Sequence, residues 1–164
     1  MNIFDLLLGR KKEPSKEELD EQERLRQETI LYERIRVGEG LRLNLYKCPA
    51  NKWSIGYGHN LEDNGITRDV AEILLNKDIT NAKLDLYNNF PWVKNLDYER
   101  QYVLVEMVYN LGIKKFKGFK KMLAACQKGE WDKAANEMLD SDWHKQVKSR
   151  AESLADIMKG KEDD

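Results

Sequence analysis

Strict alternation of apolar and polar side chains, the pattern of a half-buried β-strand, is confined to residues 41–57 of this 164-residue chain. The alternating apolar residues are Leu41, Leu43 and Leu45 before a Pro-Ala-Asn turn, and Trp53, Ile55 and Tyr57 after it. Residues 41–58 are therefore predicted to form a β-hairpin, and the pattern also allows a third short strand. Because the rest of the chain has helical patterns, the predicted fold class is α+β and mostly helical.

Two helices are predicted before the hairpin. Ser15, with Glu18 three residues later, forms a capping-box pattern that begins a helix near Lys16. This helix is polar nearly all round, so it is expected to project from the body of the protein or to contact a partner. A second helix with a broad apolar side is predicted from about residue 28 to residue 37, and Gly38 is expected to end it.

The chain after the hairpin is predicted to be helical. Following an Asn-Gly turn at residues 64–65, Thr67 is placed to cap a long helix that runs to about Tyr87. Its first apolar face would consist of Val70, Ile73, Leu74 and Leu75. Further helices are expected at residues 98–111, closed by Gly112, and near residues 118–127, 130–139 and 149–158.

These elements predict a charged N-terminal extension at residues 1–26, one folded domain at residues 27–160 and a short tail at residues 161–164. The domain is expected to have three parts. They are a small β-hairpin lobe at residues 41–63, a long connecting helix at residues 67–88 and a helical lobe at residues 92–158. A cleft between two such lobes would suit an extended ligand.

Charge and hydropathy restrict the class of partner. The 28 basic and 29 acidic residues nearly cancel, so the chain offers no general attraction for nucleic acid. No apolar stretch is long enough to span a bilayer, and we expect no stable membrane insertion. The segment MNIFDLLLGRKK lacks a basic start and a small-residue cleavage site, so it is not interpreted as a signal peptide.

The cysteine and histidine residues are few and irregularly spaced. Cys48 and Cys126 form no CxxC motif, and this pattern predicts free thiols in a reducing compartment. Together with His59 and His144 they do not have the spacing of a zinc site. We therefore expect neither a metal nor another cofactor.

Glu39 is the strongest candidate for a catalytic residue, although a single glutamate between two glycines is weak evidence. Cys48 follows Glu39 by nine residues, and Ser54 follows Cys48 by six. The stretch from Glu39 to His59 resembles the phage-type lysozymes of the T-even-phage kind. In that family a glutamate is followed at these spacings by an aspartate or sometimes a cysteine, and then by a threonine or serine. The resemblance continues through Asn64–Thr67, Met107–Gly112, Gly118-Phe119, Trp131–Ala135, Ser141–Trp143 and Arg150, and covers about residues 28–158.

The resemblance implies a lysozyme-like two-lobed fold and a muramidase, an endolysin that cleaves the β-1,4 bond between N-acetylmuramic acid and N-acetylglucosamine in peptidoglycan. Glycoside hydrolysis needs an acid for the leaving oxygen and a means of delivering water to the anomeric carbon. Glu39 would be the acid. To keep its proton near neutral pH it would need an environment shielded from water, such as a closed cleft.

Cys48 departs from the commoner aspartate, and three interpretations remain open. The thiol could lose its proton and act as base or nucleophile. It could help to hold a water molecule beside Ser54, or it could be a small packing residue of the hairpin. In the first two interpretations Ser54 would hydrogen-bond the attacking water. The departure also leaves open whether the anomeric centre is inverted, as the family would imply, or retained.

The resemblance assigns supporting roles to further residues. Arg150 matches the arginine that pairs with the catalytic glutamate, and His59 matches a histidine that pairs with an aspartate, here Asp78, in a structural role. The residues that match cleft walls are Gly58, Asn60 and Leu61 on one side and Tyr109 and Asn110 on the other. Trp131 and Trp143 are expected to anchor the core of the helical lobe. Asp142 stands where the family can have a basic residue, and the short Asn60–Asn64 connection puts the substrate range in doubt.

The implied partner is the peptidoglycan glycan strand, and the expected state is a monomer. The protein would accumulate in the host cytoplasm until a holin pore admits it to the wall. Three alternatives stay open. Glu39 could serve a lytic transglycosylase, which leaves an anhydro sugar end. Cys48 could be the nucleophile of an amidase or endopeptidase with His144 or His59. A non-enzymatic wall-binding or virion-associated module is the third.

Overall fold

The computed structural model describes residues 14–160, and the chain divides into two compact units, one ending at Ile66 and one beginning at Thr67. The first half of the predicted N-terminal extension, residues 1–13, and the predicted tail, residues 161–164, lie outside the described residues. Each unit is described by itself below.

The first unit begins with one long helix, α1 (Lys16–Glu39). The predicted capping box is confirmed: the Ser15 hydroxyl accepts the Glu18 N–H at 3.2 Å, and the Glu18 carboxylate accepts the Ser15 N–H at 2.6 Å. The prediction of two helices was wrong. Arg24 forms ion pairs with both Glu21 and Glu28, and these pairs stabilise the helix where a break was expected. The helix also passes Gly38 and ends at Glu39, with Gly40 as its C-cap residue at φ 66°.

The predicted hairpin is confirmed, and the third strand is present. Strands β1 (Arg42–Lys47), β2 (Trp53–Gly56) and β3 (His59–Asn60) form an antiparallel sheet in that order. In the register of β1 and β2, Tyr46 lies opposite Ser54, and the pairing is irregular between Tyr46 and Arg42. A short helix that the sequence did not predict, α2 (Leu61–Asn64), follows β3 and ends at Gly65.

Few side chains of the first unit are buried. Ser54 is the one buried residue between residues 14 and 66, with 1% of its surface exposed. Between α1 and the end of β1, Tyr46 is partly buried, and the other large apolar residues are at least two-fifths exposed: Leu19, Leu25, Ile30, Leu31, Tyr32, Ile35, Val37, Leu41, Leu43 and Leu45. Hydrogen bonds and ion pairs, more than apolar packing, therefore define the local geometry of this unit.

The second unit is helical. Its elements are α3 (Arg68–Asn89), a 3-10 helix (Pro91–Asn95), α4 (Tyr98–Leu111), α5 (Ile113–Phe116), α6 (Lys120–Lys128), α7 (Trp131–Leu139), α8 (Asp142–Val147) and α9 (Ser149–Lys159). Thr67 is the N-cap residue of α3, as predicted, although its side chain makes no capping hydrogen bond. With the small antiparallel sheet, these helices confirm an α+β, mostly helical, lysozyme-like fold.

The core of the second unit lies around α4. Its fully buried side chains include Leu86, Val93, Leu104, Met107, Phe116, Met122, Met138 and Met158. The predicted first apolar face of α3 is not part of this core: Ile73 is 65% exposed, and the helix buries only Ala82 and Leu86 near its other end. Trp143 is buried as predicted, whereas Trp131 is partly buried beneath the Arg100 guanidinium.

The junction of α8 and α9 contains a strained residue. Lys148 has φ 44° and ψ −113°, a conformation that costs a residue with a Cβ of order 1–3 kcal/mol. Lys148→Gly should relieve this strain and so stabilise the folded protein. Part of that stabilisation is lost, because the added glycine increases the conformational entropy of the unfolded chain. We expect a net rise of about 1 kcal/mol in the free energy of unfolding, measured by urea denaturation. Lys148→Ala keeps the Cβ and serves as the control; equal stability of the two variants would contradict this account.

Candidate active site

Glu39 is the last residue of α1, and its carboxylate lies against the backbone of Gly58. A Cβ placed on Gly58 would come within 2.9 Å of Glu39 Oε2, and the φ of Gly58 is 79°. A glycine at this position therefore serves two purposes, since it allows the backbone conformation and leaves space for the carboxylate. Glu39 as a whole is exposed.

Arg36 connects the end of α1 to the segment that carries Gly58. Its Nε donates to the Tyr57 hydroxyl at 3.2 Å, and its guanidinium lies 5.5 Å from the centre of the Tyr57 ring. A second guanidinium nitrogen donates to Glu33 at 2.9 Å. The Arg36–Tyr57 contact was not predicted from the sequence. Arg36 lies one turn before Glu39, so the Arg36–Tyr57 contact helps to fix the position of the Glu39 backbone.

Cys48 and Ser54 are brought together at the turn between β1 and β2. The thiol is half-buried, and the buried Ser54 hydroxyl donates to the Lys52 carbonyl oxygen at 3.5 Å. Hydrogen bonding from the Lys52 backbone lowers the pKa of the Cys48 thiol below its ordinary value. The Ala50 backbone and the Ser54 hydroxyl act in the same direction, against the partial burial of the thiol. This environment favours the thiolate, which is the reactive form of cysteine.

Cys126 is the contrasting thiol. It lies in the core of the second unit with 1% of its surface exposed, and burial raises its pKa to about 11. A thiol of this kind is chemically inert at neutral pH.

The remaining predicted residues of the first unit lie around β3. His59 Nε2 is 2.7 Å from the Gly65 carbonyl oxygen. Asn60 caps α2: its amide oxygen accepts the Asp63 N–H at 3.1 Å, and its amide nitrogen donates to the Asp63 carboxylate at 2.8 Å. Leu61 is the first residue of α2 and is partly buried. These contacts shape the short connection that follows the sheet.

The other predicted site residues belong to the second unit. Asp78 lies on α3 and is exposed, and its pairing with His59 stays a prediction. Arg150 Nε donates to Glu106 at 2.7 Å, an ion pair that the sequence analysis did not anticipate. The Asn110 side-chain oxygen accepts the Trp143 ring N–H at 2.8 Å, and Tyr109 is 41% exposed.

Two of the cavities within the second unit include residues that the family resemblance singles out. One of about 370 Å³ is lined by Leu75, Ile79, Lys83, Tyr102, Val105, Glu106, Tyr109 and Arg150. One of about 680 Å³ has Phe119 and Trp143 in its lining, with lysines and carboxylates around them. Asp142 is among these carboxylates and pairs with Lys145 at 2.7 Å.

Between residues 14 and 160 no three His, Cys, Asp or Glu side chains are grouped so that they could hold a metal ion. No helix in the same range has the length and apolar character needed to cross a bilayer.

Comparison with known proteins matches the chain to one family and to several relatives. The family described as phage lysozyme matches residues 37–159. "Probable T4-type lysozyme 1" of Dictyostelium discoideum is 26% identical over 154 residues, covering 76% of this chain and 90% of that protein. "Endolysin" of Acyrthosiphon pisum secondary endosymbiont phage 1 is 37% identical over 84 residues, covering 48% of this chain and 54% of that protein. The match to "Pre-baseplate central spike protein Gp5" of Enterobacteria phage T4, 26% identical, covers 77% of this chain and only 27% of the spike protein.

Proposed function

The chain belongs to the phage lysozyme family and is a glycoside hydrolase of the lysozyme type, and from this we propose that it hydrolyses the β-1,4 bond between N-acetylmuramic acid and N-acetylglucosamine. The observation that carries the proposal is the position of Glu39 against Gly58, on the sheet that also presents the Cys48–Ser54 pair. An acid and a water-activating group are the two parts that glycoside hydrolysis requires.

In the proposed reaction Glu39 is the general acid. Its proton passes to the glycosidic oxygen as the bond from that oxygen to the anomeric carbon breaks. Since Glu39 is exposed in its own unit, the bound glycan is proposed to displace water from the carboxyl group.

Cys48 and Ser54 are proposed to position and activate the attacking water. The lowered pKa of the Cys48 thiol supports a role as base, because a thiolate can accept the proton that water loses as its oxygen bonds to the anomeric carbon. The Ser54 hydroxyl, which also acts to lower the pKa of the Cys48 thiol, would orient this water.

Supporting roles are proposed for residues outside this pair. Arg150, which pairs with Glu106, is proposed to orient Glu39, and His59 and Asp78 are proposed to support the site as a structural pair. The proposed sugar contacts are Gly58, Asn60, Leu61, Tyr109 and Asn110. Because the Asn110 side-chain oxygen already accepts a hydrogen bond from Trp143, a sugar oxygen would be bound through the amide nitrogen.

The proposed biological role is that of an endolysin. We propose that the protein acts as a monomer, accumulates in the host cytoplasm and reaches the wall through a holin pore. Residues 1–26 are proposed as an extension of the catalytic domain. Helix α1 runs through this boundary without a break, so the extension and the domain share one helix.

Mass spectrometry of the products released from purified peptidoglycan tests the proposal. We expect hydrated saccharides that end in reducing N-acetylmuramic acid. Anhydro ends would identify a lytic transglycosylase instead, and amide products would identify a cysteine-dependent amidase. Wall binding without any cleavage would identify a binding module.

Substitutions of Cys48 test its role as a base. Cys48→Ala is expected to lower turnover of purified peptidoglycan about 10- to 100-fold, at or below the lower end of the roughly 10²- to 10⁴-fold that a general base usually contributes. The wild-type rate should fall as the pH drops through the lowered pKa of this thiol, because the base works only when deprotonated. Cys48→Asp should keep activity to lower pH, since an aspartate ordinarily loses its proton near about pH 4.

The pH–rate profile is the measurement, with Cys126→Ala as a control that removes a thiol buried in the core of the second unit, to which no part in the chemistry is assigned. Full activity and an unchanged profile in Cys48→Ala would exclude both the base and the nucleophile role.

A further inference from the structure

The short connection after the sheet carries a carboxylate with several partners. Glu62, on α2, accepts the Trp53 backbone N–H at 3.1 Å, at the first residue of β2. The same carboxylate lies 3.3 Å from the ammonium groups of both Lys47 and Lys52. Its neighbour Asp63 also pairs with Lys52, at 2.8 Å. Glu62 therefore contacts the last residue of β1, the first residue of β2 and the residue that precedes β2.

Lys47 immediately precedes the turn from Cys48 to Lys52, and Lys52 is the last residue of that turn. Lys47 Nζ also donates to the Asn51 carbonyl oxygen at 2.9 Å, across the turn. The Cys48 N–H donates to the Lys52 carbonyl at 3.0 Å, and the Asn51 N–H donates to the Cys48 carbonyl at 2.8 Å. Asn51 has φ 59°, the left-handed conformation, which a tight turn of this kind must hold in place.

We propose that Glu62 is a positioning residue, which fixes the turn from Cys48 to Lys52 and thereby the surroundings of the Cys48 sulfur. The inference rests on the proposed function only in assigning that sulfur a part in catalysis.

Glu62 can position the turn because several contacts meet at its carboxylate, whereas a single ion pair would not suffice. Glu62, Lys47 and Lys52 each keep more than a third of their side chains exposed, and isolated pairs of this kind contribute little to stability. Here one carboxylate holds a backbone N–H and two ammonium groups that frame a five-residue turn. Lys52 is also the residue whose backbone makes the largest contribution to lowering the pKa of Cys48.

Positioning and simple electrostatics predict opposite results for Glu62→Gln. Removal of a negative charge near a thiol favours the thiolate and would lower its pKa. Loss of the turn geometry would weaken the hydrogen bonds to sulfur and raise it. Asp63→Asn is the matched control: it removes an equal charge beside the same Lys52, and it leaves the contacts of Glu62 with Lys47 and Trp53 intact.

The experiment follows alkylation of Cys48 by iodoacetamide in the full-length protein as a function of pH, with the modified residue identified by mass spectrometry. Cys126 is buried and its thiol has a pKa of about 11, so it should react negligibly. We expect Glu62→Gln to alkylate about threefold more slowly at pH 7, with the midpoint of its profile at higher pH. Asp63→Asn should react at the wild-type rate or faster.

A Glu62→Gln rate equal to or above the wild-type rate would overturn the proposal, as would equal slowing in both variants. Circular dichroism establishes that the variants are folded before their rates are compared. The assay needs no wall substrate, so it is independent of the proposed reaction. If the thiol responds as expected and Cys48→Ala nevertheless hydrolyses peptidoglycan at the full rate, the catalytic role of Cys48 fails and the positioning role of Glu62 stands.

Discussion

Glu39→Gln is expected to lower the turnover of purified peptidoglycan about 10²- to 10⁴-fold, the usual contribution of a general acid. Glutamine has nearly the shape of glutamate and fits the same space against Gly58, but it has no acidic proton to give to the leaving oxygen. The measurement is the rate at which soluble saccharides appear, together with binding of the variant to sedimented wall. Binding should persist because the substitution removes a proton donor and leaves the sheet intact.

Glu28→Gln provides the control for this substitution. Glu28 lies on the same helix, is similarly exposed and pairs only locally, with Arg24. Its replacement should leave turnover within twofold of the wild-type rate, about the scatter of such measurements. A Glu39→Gln variant that kept a tenth or more of the wild-type rate would show that another residue supplies the proton.

Gly58→Ala is expected to have the second-largest effect, about a 10²-fold loss of turnover. The new Cβ would lie 2.9 Å from Glu39 Oε2, so the carboxylate must move away. A displacement of about 1 Å at a reacting group can cost about 10²-fold in rate. The flexible glutamate side chain can absorb the contact itself. The loss of stability should therefore reflect mainly the positive φ, about 1–2 kcal/mol.

Gly56→Ala separates the two effects. Gly56 lies two residues away with φ 68°, and a Cβ there would meet nothing within 4 Å. This variant should lose similar stability in urea denaturation and keep most of its turnover. Equal losses of turnover in both variants would mean that backbone strain in the sheet, and not the contact with Glu39, limits the reaction.

The sequence predicted best the elements that combine regular periodicity with clear end signals. Helix α4 begins and ends where expected, because core spacing between residues 98 and 111 is followed directly by Gly112. The elements it did not predict are α2, α5, α8 and the 3-10 helix at Pro91–Asn95, each of four to six residues. Helices this short have too few turns to show a period.

The false division of α1 has a different cause. A polar stretch has no apolar periodicity, so the start of a second helix was predicted where the apolar pattern begins. The helix is continuous because its stabilising contacts there are between charged side chains, as in the pairs that Arg24 makes. The opposite error was made for α3. Its apolar spacing was interpreted as a face of the core, but Ile73 on that face is exposed.

Part of the candidate site could be predicted from the resemblance to a family. The resemblance pointed to Cys48 and Ser54, and the hairpin explains why they lie close together, since it folds β2 back along β1. The contacts of Glu62 with both ends of the turn, and of Arg36 with Tyr57, could not be predicted. They depend on the direction in which α2 and α1 leave the sheet, which no periodic pattern encodes.

The uneven distribution of buried apolar surface affects the order in which the protein melts. Every buried apolar side chain between residues 14 and 160 lies in the second unit, from Ala82 to Met158. The proposed acid and thiol belong to the first unit, whose geometry depends on exposed polar contacts. Such regions open at a lower free energy than the core. Warming should therefore disorder the surroundings of Glu39 and Cys48 first, and the enzyme should lose activity while most of its helices remain folded.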